Sequence, residues 1–201
     1  MFPRRRIDNL SDGIFGVAMT LLVLEIRIPD GVEPRSDADL TALLASLLPK
    51  IGPYALSFAV LGIRWRELVA DRASGAEVGK AYVNWMLANL LLVTFVPFST
   101  LILGRYALLA PAVWLYAGNL TGMAVCGWLA ERSARAPGES GAVQTAGLAV
   151  YLLAAAVTAG LGFLHTPWAP MGFLLNALAP PLERWIAARQ GRGATAPTRA
   201  D

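Results

Sequence analysis

Six stretches of this chain are long and apolar enough to cross a lipid bilayer, and nothing else in the sequence restricts its fold as severely. A crossing needs about 20 largely apolar residues to bridge a hydrocarbon core of about 30 Å. The stretches lie at about 10–28, 52–71, 82–104, 107–130, 142–163 and 167–187. The second is the least regular, because Arg64 and Arg66 fall inside it. In hydrocarbon each backbone donor and acceptor must be satisfied within the protein, which for single segments of this length means helix. Charge content agrees: 15% of the residues are charged, against about 25% in an ordinary soluble domain. The expected fold is therefore an all-α integral membrane bundle of six transmembrane helices. It occupies one domain, residues 1–189, followed by a polar cytoplasmic tail, 190–201, whose small-residue composition predicts disorder.

Orientation follows from the basic residues. With the N-terminus inside, the cytoplasmic segments hold thirteen of the seventeen Lys and Arg residues, from Arg4, Arg5 and Arg6 to Arg199. The external segments hold only Arg27, Arg35, Lys50 and Arg105. That bias places both termini in the cytoplasm of a multi-pass protein of the cell membrane. The net charge of +3 thus reflects span ends rather than nucleic-acid binding. The N-terminal run does not read as a cleaved signal peptide, since Asp8, Ser11 and Asp12 interrupt its head. A single histidine, His165, and a single cysteine, Cys126, leave no basis for a zinc site or a disulfide framework. No cofactor is expected.

Between the first two spans, Pro29, Gly31 and Pro34 predict a turn. After it, Ser36 or Asp37 is placed to cap a short helix whose Leu40, Leu43, Leu44, Leu47 and Leu48 follow helical spacing. Too short to cross, this helix is expected to be amphipathic and external, with the second span starting afresh near Lys50 and Pro53.

The first span holds the chemistry. Asp12 and Glu25 bracket an apolar run too short to keep both acids clear of the hydrocarbon, where a central carboxylate costs at least ~2.5–3.5 kcal/mol. They either mark helix ends or face water inside an assembly. For Glu25, beside Arg27, the helix-end reading is at least as good as a role in attracting ions. Gly13, Gly16, Ala18 and Thr20 make the helix slim, which lets helices approach closely in lipid. Val17, Leu21 and Leu24 form one stripe with Thr20 beside it. Such a stripe is either an ordinary lipid or core surface or, if copies of the helix surround an axis, a stack of hydrophobic rings that constricts a pore. For Thr20 a hydroxyl bonded back to its own helix is the simpler alternative.

Arg6-x-x-x-Leu10-Ser11-Asp12 followed by "GIFGVAMTLLVLEIRIP" resembles the first-span signature of the transmembrane protein 175 family of potassium channels. That signature reads Arg/Lys-x-x-x-Phe-Ser-Asp, then an aliphatic run ending near Leu-Glu-Ile/Val-x-Ile/Val-Pro. "FVPFSTLILGRY", residues 95–106, is similar to the end of the family's third span. The likeness covers the first three spans; the last three agree in number and length. It implies six spans, cytoplasmic termini and, in bacteria, a homotetramer of single six-span chains around the first helix. By position it implies that Val17 is the narrowest pore residue and that Leu21 and Leu24 form the next two layers. Thr20 falls on a layer linked to potassium preference. Arg6, Leu10, Ser11, Asp12 and Trp65 fall on a polar network that ties the pore helix to its neighbours.

The departures are specific. Leu10 replaces the signature phenylalanine, and Leu68 stands where a histidine usually follows the tryptophan by three residues. Arg64 and Arg66, flanking Trp65, are the substitutes this chain offers. Asn84 and Asn89 are both candidates for the family's third-span asparagine. Valine at the constriction is one methylene smaller than the usual isoleucine. The expected partners are potassium ions, further copies of the chain and the lipid bilayer. No loop of the Thr-Val-Gly-Tyr-Gly type occurs, so selectivity would come from stripping water at an apolar collar. An enzyme is disfavoured by the lack of clustered nucleophiles or metal ligands. A proton or small-solute transporter would want more titratable groups deep in the membrane, and a non-conducting structural membrane protein stays open.

Overall fold

The computed structural model describes residues 1–29, 31–70, 77–135, 142–164 and 172, apart from the side chains of residues 70, 142 and 143. Five helices make up nearly all of it: α1 (Arg4–Leu21), α2 (Asp37–Ala70), α3 (Lys80–Tyr106), α4 (Ala110–Ala134) and α5 (Ala142–Phe163). A two-residue pairing joins β1 (Phe2–Pro3) to β2 (Glu77–Val78), antiparallel, with Phe2 opposite Val78. The segments 167–187, expected as a sixth span, and 190–201, expected as a disordered tail, lie outside the described residues.

Among the described residues four helices are long and apolar enough to cross a membrane, over Arg4–Glu25, Asp37–Val69, Lys80–Tyr106 and Gln144–Phe163. Helix α4, expected as a span, is not among them. Its sequence is diluted by residues that turn inward rather than to lipid. Asn119 is buried and its Nδ2 donates to Ser99 Oγ at 3.2 Å. Around it Val113, Tyr116, Leu120 and Met123 are almost wholly enclosed. α4 packs most closely against α3, to which a short turn connects it, so the two run antiparallel.

Two expectations need correction. The first helix does not begin near residue 10. It starts at Arg4 and tightens into a 3-10 turn at Leu22–Glu25. Its basic first turn is held because Arg4 is buried, with its guanidinium 5.5 Å from the centre of the Tyr82 ring. At the other end Arg27 Nε donates to Leu24 O at 2.8 Å, and Lys50 Nζ to Arg27 O at 2.9 Å. Cations there complement the helix dipole. Gly31 follows with φ 81°, a conformation that favours glycine.

The second correction concerns the amphipathic segment. Ser36 does cap it, its Oγ accepting from Asp39 N at 3.1 Å. But the helix does not stop before Lys50; it continues through Pro49 and Pro53 as one element of 34 residues. Each proline removes one ladder hydrogen bond. Membrane helices tolerate that where neighbouring groups re-satisfy the freed carbonyls. Leu43 and Leu47 are buried while Leu40, Leu44 and Leu48 stay exposed.

A buried polar knot crosses the bundle. Ser57 Oγ shares hydrogen bonds with Thr100 Oγ1 at 2.8 Å and Tyr116 OH at 3.0 Å, joining α2, α3 and α4. Such bonds stabilise membrane bundles by about 0.6 kcal/mol each, ~1.7 at most, whereas deleting a buried leucine side chain costs about 2–5 kcal/mol. Tyr116→Phe should therefore lower thermal stability in detergent only slightly, and Leu120→Ala, at a site of 0% exposure, several times more.

Candidate functional site

Helix α1 has two unlike faces. Ser11, Phe15, Ala18 and Leu22 are buried, at helical spacing of four, three and four. They seat the helix on its own bundle, chiefly against α3. On the other side Leu10, Val17, Leu21 and Leu24 are 43%, 59%, 42% and 51% exposed. Gly13 and Gly16 beside them have open space in front of their Cα atoms. Among the described residues, Leu10, Val17, Leu21 and Leu24 thus form a continuous exposed apolar stripe on the side of α1 opposite its buried face. A shallow apolar groove of about 350 Å³ runs along it, between Leu10, Gly13, Val17 and Leu21 of α1 and Thr94 of α3.

Thr20 Oγ1 donates to Val17 O at 2.8 Å. Its proton is committed to the helix, which leaves the oxygen's lone pairs to face outward with the stripe. Along this face no titratable side chain intervenes between Asp12 and Glu25.

The polar residues divide into two groups. Asp12 and Trp65, distant in sequence, meet: Trp65 Nε1 donates to Asp12 Oδ1 at 2.8 Å. Ser11 is buried and spends its hydroxyl on Ile7 O, 2.8 Å away on its own helix. Arg6 is exposed, and the arginine enclosed at this end is Arg4. Nothing in the spacing of three consecutive arginines distinguishes Arg4 from Arg6, yet it is Arg4 that lies over Tyr82, next to the pairing of β1 with β2. Leu10 points outward rather than into a network. Leu68, in the position where a histidine was anticipated, is half-buried and packs against the apolar core.

Of the two arginines flanking Trp65, Arg66 is exposed and Arg64 turns inward. Arg64 Nη1 bonds Glu67 Oε2 at 2.7 Å, and its guanidinium lies 5.6 Å from the centre of the Tyr151 ring. Tyr151 carried no signal in the sequence, because an aromatic in an apolar run reads as packing. Of the two asparagines, Asn89 is buried, with Nδ2 3.8 Å from Met86 Sδ, whereas Asn84 is exposed. Among the described residues no group of three His, Cys, Asp or Glu side chains is placed to hold a metal ion.

Comparison with known proteins adds a lineage. The family described as "Endosomal/lysosomal potassium channel TMEM175" matches residues 6–97. A protein of Chamaesiphon minutus named as a potassium channel is 36% identical over 124 residues, 60% of each chain. One of Streptomyces collinus, also named as a potassium channel, is 34% identical over 101 residues, 50% of this chain and 48% of that one. A human protein named "Endosomal/lysosomal proton channel TMEM175" is 33% identical over 98 residues, 46% of this chain but 19% of its own length. The chain therefore spans about half to three fifths of the bacterial relatives and a far smaller part of the human one. A crystal structure described as a lysosomal potassium-selective channel TMEM175 homolog from Chamaesiphon minutus superposes with a TM-score of 0.72. The two are 28% identical, over 89% of this chain and 96% of that one.

Trp65→Phe keeps the ring and removes the donor to Asp12. It should cost about 1 kcal/mol, because the bond is exposed and water competes for both groups. In a double-mutant cycle on thermal stability, Trp65→Phe and Asp12→Ala should couple rather than add.

Proposed function

We propose that this chain is a member of the transmembrane protein 175 family, whose model matches residues 6–97, and that it is a potassium-selective cation channel of the cell membrane. Four copies surround an axis with α1 of each lining the pore. Val17 forms the narrowest ring, Leu21 and Leu24 the next two, and the Thr20 oxygens lie between them. Each copy contributes one six-span membrane domain, residues 1–189. Both termini are cytoplasmic, and the N-terminal stretch of α2 lies towards the outside.

One observation carries this reading. α1 is anchored to its own bundle by Phe15, Ala18, Leu22 and the Asp12–Trp65 bond, yet it turns an uninterrupted apolar stripe with two open glycines away from that bundle. A slim helix of that kind suits close contact with copies of itself. An ion passing such a collar must shed water, and potassium sheds its shell at lower cost than sodium. Asp12, near the cytoplasmic mouth, favours cations over anions. The match to relatives named as potassium channels supports the choice of ion. A second reading, proton conduction along a water wire through the same collar, draws support from the relatives named as proton channels.

Potassium-loaded liposomes containing the purified protein test it. Wild type should release potassium faster than sodium. Val17→Asn and Leu21→Asn should each raise flux by about tenfold, as a barrier lowered by ~1.4 kcal/mol would, and weaken the preference. Inert wild-type vesicles, or a crosslinking ladder that stops at two chains rather than four, would overturn the reading. A pH-sensitive dye in the same vesicles reports proton entry.

A further inference from the structure

Arg64 and Trp65 are neighbours on α2, so their side chains leave the helix about 100° apart. Trp65 reaches α1 and holds Asp12 at 2.8 Å. Arg64 goes the other way, into the gap towards α4 and α5, with its side chain 16% exposed. There it is gripped on three sides: Glu67 Oε2 lies 2.7 Å from Nη1, the Tyr151 ring faces the guanidinium, and α4 offers a notch at Gly127. A Cβ on Gly127 would come within 2.6 Å of Arg64 Nη2, so the guanidinium fills the space that any other residue there would occupy. The Asn89 amide oxygen borders the same notch.

From this geometry we propose that Arg64 is a positioning residue for the pore helix. Seated in the Gly127 notch, it fixes the rotation of the inner part of α2 and so holds the Trp65 indole against Asp12. The inference rests on the channel reading for its consequence, but the clamp itself does not. Glu67 lies on α2 too and turns with Arg64, so rotating α2 about its axis would move Arg64 and Trp65 together and pull the buried guanidinium out of the Gly127 notch and off the Tyr151 ring. The backbone of α2 leans chiefly on α3, and the prolines at 49 and 53 weaken its ladder upstream. A long side chain that crosses to α4 and α5 is therefore well placed to set the angle. The competing account is that the buried Leu56, Val60 and Leu61 set it unaided.

Two readouts in proteoliposomes separate the accounts: deuterium uptake by the α1 stretch 8–15, and potassium flux. Arg64→Gln should raise uptake at least threefold and change flux by a similar factor. In a Trp65→Phe background, which already lacks the bond, Arg64→Gln should add nothing to either. Gly127→Ala is the second variant. It keeps every charge, pushes the guanidinium out of its notch and should give the same pattern, including where Arg64→Gln fails to fold. Silence of both variants, or effects that add in full to those of Trp65→Phe, would overturn the proposal. Wild-type vesicles that pass no ions while the uptake pattern holds would sink the channel reading and leave the clamp standing. An additive pattern in a conducting protein would sink the clamp alone.

Discussion

A carboxylate set in a membrane-crossing helix must find a partner, and Asp12 finds the indole of Trp65. That bond acts together with the buried face of α1 to fix which side is inward. With Asp12 turned to α2, helical geometry turns Ser11, Phe15, Ala18 and Leu22 into the bundle and leaves Val17, Leu21 and Leu24 outside it. The orientation of the apolar stripe thus agrees with a polar contact as well as with packing. It does not follow from the greasiness of the stripe, which would sit as comfortably in a core.

The same economy recurs through the bundle, where polar atoms are used to join elements. Ser57, Thr100 and Tyr116 link three helices in one cluster of hydroxyls, and Asn119 reaches Ser99. Arg64 is the charged version of this device. Because lipid offers no competing water, each such contact also excludes alternative registers in which the group would be stranded. α4 shows the result most plainly: less apolar than the four helices that meet the length and hydropathy of a span, it is among the most enclosed of the described helices.

Much of this could be read from the residues. Helices α3 and α5 begin and end within a few residues of two of the apolar runs, because charge and small residues bound those runs. The family signature put Asp12 and Trp65 among the residues of one polar network without pairing them, and spacing alone says nothing about a contact across 53 positions. The continuity of α2 was not legible, since two prolines four residues apart ordinarily argue for a break. In a membrane the missing water makes unwinding the costlier option. Arg4 was hidden by its neighbours: three identical side chains carry no local hint of which one a later helix will cover. Gly127 was equally silent, because one more small residue in a slim helix looks like packing.

The length of α2 has a consequence of its own. At 34 residues and about 1.5 Å per residue it measures near 50 Å, well beyond a hydrocarbon slab of about 30 Å. The surplus lies on the far side of its prolines from Trp65. A bilayer that thickens or thins can then be met by swinging that stretch about the proline joints. The segment that grips α1 lies beyond those joints and keeps its place, with the Asp12–Trp65 contact intact.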